Sequence, residues 1–198
     1  MKGLIMIIGV TGTLASGKDT VSDLLEKKGY KHISLSQILR DELTKMGESL
    51  DTANLTKFGN QIRHERGEGY LAKEALKDAS SRTIISSIRQ PGEVKVLKGD
   101  PRFVLIAVDA DAKTRWLRLE KRHREGDPVS YSAMMAIEHK QMKKFGSKDM
   151  QLDVVMGMAD YQINNSGTLE ELHNQVDDII AKIEKGDQSE KRQEAELG

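Results

Sequence analysis

Gly12-Thr13-Leu14-Ala15-Ser16-Gly17-Lys18-Asp19-Thr20 gathers in one short stretch the residue types that hold a phosphate. Two glycines separated by four residues, then lysine, make a loop whose backbone N–H groups can turn inward around an anion. Gly12 and Gly17 admit backbone angles that a side chain opposes. The segment Gly12, Thr13, Ala15, Ser16, Gly17 is expected to cradle the inner phosphates of a nucleoside triphosphate such as ATP, with Lys18 as a mobile charge for the outer ones. A helix opening at about Asp19 adds its N-terminal dipole. After the lysine this pattern usually places a hydroxyl on Mg²⁺. Here Asp19 stands there, with Thr20 next. A carboxylate is also a hard oxygen ligand, so Asp19 and Thr20 are the candidate metal residues.

A second set of candidates lies where parallel strands should end. Ser36 and Arg40 follow the second strand, Ser86 to Arg89 end the third, and Asp109 ends the fourth. Ligands of an open parallel sheet bind at those carboxyl ends. Phosphoryl transfer needs cations around the migrating group, and the planar donor fork of arginine suits it. A basic helix adds Arg115, Arg118, Lys121, Arg122, His123 and Arg124. Arg115 and Lys121 read as a solvated face. Arg118, Arg122 and Arg124 run into the break at Gly126-Asp127-Pro128, as a lid closing over triphosphate would. His64 and His123 lack the spaced partners of a metal site.

The elements that must position these groups alternate between strand-like and helix-like, which predicts a parallel sheet with helices on both faces. Leu4 to Ile8 is a continuous apolar run for a buried first strand, followed by Val21, Leu24 and Leu25 at helical spacing. Strands are expected at 32–34, 83–88, 103–108 and 161–163, with Ser36 as a helix N-cap and helices over 52–80 broken near Gly67 and Gly69. Leu169, Leu172, Val176, Ile179, Ile180 and Ile183 form one stripe of a last helix. The expected fold is α/β: a three-layer α/β/α with a parallel five-stranded sheet and a helical lid. It occupies one domain, 1–185, with acceptor helices at about 36–80, a lid at about 115–145, and a flexible charged tail over 186–198.

The chain has 198 residues, 31 Lys+Arg against 31 Asp+Glu, and no cysteine. No chain-wide basic field would draw in nucleic acid, and thiolate chemistry is excluded. No apolar stretch approaches the ~20 residues of a bilayer span. A cytoplasmic monomer or homodimer is expected, with a small-molecule partner and neither nucleic acid nor membrane.

Ile7 to Gly12 together with Gly17 to Val21 resembles the opening of small P-loop kinases: nucleoside monophosphate kinases, phage-type deoxynucleotide monophosphate kinases and dephospho-CoA kinases. Ser36-Gln37-Ile38-Leu39-Arg40 is similar to the segment whose arginine holds the acceptor phosphate in the first group. Ile88-Arg89-Gln90-Pro91-Gly92-Glu93 is similar to the Arg-x-Pro-x-Glu stretch of the second, and Ala159 to Leu169 to the C-terminal signature of the third. The resemblance implies a P-loop kinase with ATP and Mg²⁺, in which Ser36, Arg40 and Arg89 bind a phosphorylated acceptor. Arg118 and Asn165 would lie near the nucleotide, and Lys18, Arg89, Arg122 and Asp109 would carry transfer. Related kinases often carry Asp-Gly before the strand-three arginine; this chain has Ser86-Ser87.

Overall fold

A computed structural model describes residues 6–124, 126–142 and 151–196. Leu4, Ile5 and the end of the expected lid, 143–145, lie outside the described residues. In chain order the elements are β1 (Met6–Gly12), α1 (Lys18–Lys27), β2 (Lys31–Ser34), α2 (Leu35–Lys45), α3 (Thr52–Arg66), α4 (Tyr70–Lys77) and β3 (Arg82–Ser86). There follow α5 (Pro91–Leu97), β4 (Phe103–Asp109), α6 (Ala112–Arg122), α7 (Tyr131–Met142), α8 (Leu152–Gly157), β5 (Tyr161–Asn164) and α9 (Leu169–Glu196).

All strand pairs are parallel, in the order β2-β3-β1-β4-β5. β1 is buried along its whole length because it is central. Its alternate side chains feed two cores. Ile7, with Ile85 and Leu105, packs against Leu35, Leu39, Ile62, Leu71 and Val94 from α2 to α5. Ile8 and Val10, with Ile84, Ile106 and Val108, pack against Val21 and Leu25 of α1 and Leu172, Val176 and Ile180 of α9. This gives the three-layer α/β/α sandwich. Truncating a fully buried residue such as Leu25 or Ile106 to alanine should cost roughly 2–5 kcal/mol.

Three local details differ from expectation. The N-cap of α2 is Ser34, not Ser36: the helix starts at once so that Leu35, 1% exposed, reaches the core. α5 is not among the elements expected from the sequence, and it opens on Pro91 and Gly92, residues that disfavour helix interiors. Proline at a first helical position is compatible with helix, since its missing N–H would have no partner there. Gln90 and Glu93 close a reciprocal capping box around that start. α9 runs on to Glu196, past the expected tail boundary at 186, because no proline interrupts its backbone.

Candidate nucleotide and acceptor site

β1 delivers its last residue straight into the loop. At Gly12 φ is +156° and an added Cβ would lie 2.1 Å from Val108 O. At Gly17 φ is +94° and a Cβ would lie 2.1 Å from Asn165 Nδ2. Both glycines are therefore required by space as well as by backbone angle. Ala15 also has a left-handed φ, 59°. Gly17 caps α1 without a side-chain hydrogen bond, leaving the first-turn N–H groups for an anion. Ser16 Oγ is buried and has no hydrogen-bond partner among the described residues. An orphaned hydroxyl beside open helix amides fits a phosphate.

The cradle is braced from behind. Thr13 Oγ1 donates to Asp109 Oδ1 at 2.6 Å, and the Ala110 amide donates to the same oxygen at 2.9 Å. Asn165 Nδ2 donates to Ser16 O at 2.8 Å. Arg118 spreads over three carbonyls: Ala15 O at 3.4 Å, Ser16 O at 3.3 Å and Asn165 O at 2.7 Å. Arg118 and Asn165 thus grip the loop's outward-facing carbonyls. Asp109 holds the loop tip.

Arg115 corrects the expectation of a solvated face. It is 4% exposed, donates from Nε to Ala110 O at 2.8 Å, and forms a two-pronged pair with Glu138 of α7. Its Nη1 also reaches Leu14 O at 3.5 Å. α6 and α7 are thereby fastened to the loop and to each other. Lys121 is exposed, as expected. Arg124 is exposed and borders a cleft with Trp116 and His123 rather than the cradle.

Among the described residues, Lys18 Nζ makes only a long contact, to Thr13 O at 3.4 Å. Burial lowers its pKa, Asp19 opposes that, and Arg89 and Arg122 reinforce it. Lys18 thus feels the charges of Asp19, Arg89 and Arg122. Asp19 is exposed and makes no hydrogen bond or ion pair among the described residues. A polyanion placed there would relieve the mutual repulsion of the cations.

Beside the loop lies a cavity of about 290 Å³. Leu35, Leu39, Leu55, Leu71 and Ile137 form aliphatic walls, and Arg40, Arg63 and Arg89 supply charge. Ser36 and Ser87 line it too. Their hydroxyls stand 3.2 Å apart and both reach Ser34 Oγ, at 3.0 and 3.3 Å. Ser86 instead pairs with His32 Nε2 at 2.8 Å and does not line the cavity.

At its base Glu93, 1% exposed, accepts from the Arg89 and Gln90 amides at 2.8 and 3.1 Å. Burial raises the Glu93 pKa, against Arg63 and those two amides. Burial lowers that of Arg89, against Glu93 and with Arg63. The Arg63 Nε lies 4.0 Å from Glu93 and is buried without a hydrogen-bond partner among the described residues. Arg63 was not a candidate in the sequence. Its one signal is a place directly after Ile62 on the α3 stripe Leu55, Phe58, Ile62.

Comparisons with known proteins agree with the fold that carries this site. The UPF0200 protein of Methanothermobacter thermautotrophicus is 32% identical over 190 residues, covering 93% of this chain and 94% of its own. Among solved structures, TT1252 from Thermus thermophilus superposes with a TM-score of 0.59 at 21% identity, covering 91% of this chain and 98% of its own. Shikimate kinase from Bacteroides thetaiotaomicron does so with a TM-score of 0.55 at 12% identity, covering 90% and 98%. These two show a fold shared with a small-molecule kinase. A family model described as an AAA domain matches residues 8–143, a span that takes in most of β1 and all of α1 to α7. The chain belongs to the AAA_18 family (AAA domain) and to the UPF0200 proteins.

Proposed function

We propose that this chain is an ATP- and Mg²⁺-dependent phosphotransferase. It would move the γ-phosphate of ATP onto the phosphate of a small acceptor, a nucleoside or deoxynucleoside monophosphate. The observation that carries the proposal is the aliphatic cavity ringed by Arg40, Arg63 and Arg89 directly beside the phosphate loop. Arg40, Arg63 and Arg89 outnumber the cavity's two carboxylates, Glu93 and the Arg122-paired Asp127, and the surplus positive charge suits a phosphomonoester.

The loop amides and Ser16 Oγ would hold the donor's inner phosphates, and Lys18 the outer ones. Arg40, Ser36 and Arg63 would seat the acceptor, with Arg89 and Arg122 neutralising charge on the migrating group. Asp19 and Thr20 would hold Mg²⁺, which neutralises phosphate charge. The described residues offer no cluster of three acidic or histidine side chains, and Mg²⁺ commonly uses one or two carboxylates completed by substrate phosphates.

A hydroxyl acceptor, as in the dephospho-CoA kinase alternative, needs a general base. Asp109 is committed to Thr13 and Ala110, Glu93 to two amides, and Asp127 to Arg122. Asp19, the uncommitted carboxylate nearby among the described residues, is assigned to Mg²⁺, and a phosphate oxyanion needs no base, which supports the phosphorylated nucleophile. A coupled ADP-release assay across nucleoside monophosphates and dephospho-CoA tests this. Turnover with a monophosphate is expected. Turnover with dephospho-CoA alone would refute the acceptor assignment, and ATP binding without any transfer would mark a regulatory nucleotide-binding module.

A further inference from the structure

Arg122 ends α6, and Asp127 lies in the turn that follows. Arg122 Nε donates to Asp127 Oδ2 at 2.7 Å and Nη2 to Oδ1 at 2.6 Å. One whole edge of the guanidinium is thus occupied, which fixes its plane and leaves Nη1 for another partner. The side chains are only 28% and 14% exposed, so the pair is held more firmly than one free in solvent.

Asp127 is also held through its backbone. Asp127 N donates to Arg124 O at 3.0 Å, Gly126 has a φ of 84°, and Pro128 follows. Asp127 borders the acceptor cavity together with Arg89. Arg122 faces the loop closely enough to affect Lys18 and to feel Asp19. The pair therefore stands where the donor's outer phosphate and the acceptor would meet.

We propose that Asp127 is a positioning residue that aims the Arg122 guanidinium at the migrating phosphate, and so acts on transfer rather than on binding. This rests on the phosphotransferase function proposed above. The competing role is simple closure of the turn after α6, which predicts a different pattern of losses.

The test is calorimetric titration with Mg²⁺–ADP and with Mg²⁺–ADP plus aluminium fluoride, which mimics the migrating group. It uses the full chain, with thermal melting as a control. In Asp127→Asn, affinity for ADP should stay within about twofold while affinity for the fluoride complex falls about tenfold or more. Asp127→Glu should recover part of that loss. In an Arg122→Ala background, Asp127→Asn should remove nothing further, because the carboxylate acts through the guanidinium. Equal losses for both ligands with a lowered melting temperature, or no loss for the fluoride complex, would overturn the assignment. Failure of the unaltered chain to bind ADP would overturn the kinase function itself, a separate and recognisable result.

Discussion

Thr13 Oγ1 and Asp109 Oδ1 lie 2.6 Å apart, joining the phosphate loop to the end of β4 across 96 residues of sequence. The carboxylate that ends the fourth strand is thus a structural anchor for the cradle. Hydrogen bonds to charged groups are worth about 1.5–3 kcal/mol. Thr13→Val should therefore weaken ADP binding roughly tenfold or more by calorimetry. The pH profile of turnover should not move, whereas loss of a general base at Asp109 would shift it.

Lys18 carries a lowered pKa because burial outweighs Asp19, with Arg89 and Arg122 adding to the effect. Only its protonated form attracts triphosphate. As pH rises, affinity for ATP should decline at lower pH than an ordinary lysine would allow. Lys18→Arg should remove that alkaline decline, since arginine stays charged. Titrations of ATP affinity against pH would show it.

Arg63 and Glu93 form a buried pair. Arg63→Ala strands the carboxylate and should cost roughly 3–5 kcal/mol in urea unfolding, with Glu93→Gln costing less. The loss should grow with pH. Without Arg63 the folded Glu93 pKa rises further above its unfolded value. Over that interval the unfolded chain holds fewer protons than the folded one, so stability falls as pH climbs.

Arg115 and Glu138 clamp α6 to α7 at 4% and 13% side-chain exposure. Breaking the pair with Arg115→Ala should destabilise the fold by roughly 3–5 kcal/mol. Arg115→Met with Glu138→Leu should recover much of it, because an apolar pair of similar size needs no desolvation of charge. Thermal melts of the single and double variants measure the difference.

Arg40, on α2, and Arg89, between β3 and α5, both border the cavity. Arg40→Ala should raise the acceptor KM with a smaller effect on kcat. Arg89→Ala should lower kcat by about 10²-fold or more, since Arg89 also faces the migrating group. Steady-state kinetics on the acceptor found in the panel separates the two.

The loop, the sheet and most helix limits were legible because their signals are local: glycine spacing, apolar runs and 3.6-residue periodicity. The roles of Arg115, Arg63 and Asp127 were not, since each depends on a partner distant in sequence or hidden by a fold-dependent turn. Arg115 read as solvated because its neighbours on α6 are charged, yet Glu138 and Leu14 O enclose it. α5 was hidden by Pro91 and Gly92, and with it the way Glu93 organises the base of the cavity.

The clasp of Arg118 and Asn165 on the loop's carbonyls has a bearing on how the protein comes into being. Ser16 is synthesised 149 residues before Asn165, which is made only after β5. A nascent or truncated chain ending before that strand carries every residue of the glycine motif without its rear support. Under the proposed function, capacity to capture nucleotide is thereby deferred until β5 and Asn165 have been made, so chains cut short before that strand should compete poorly for ATP.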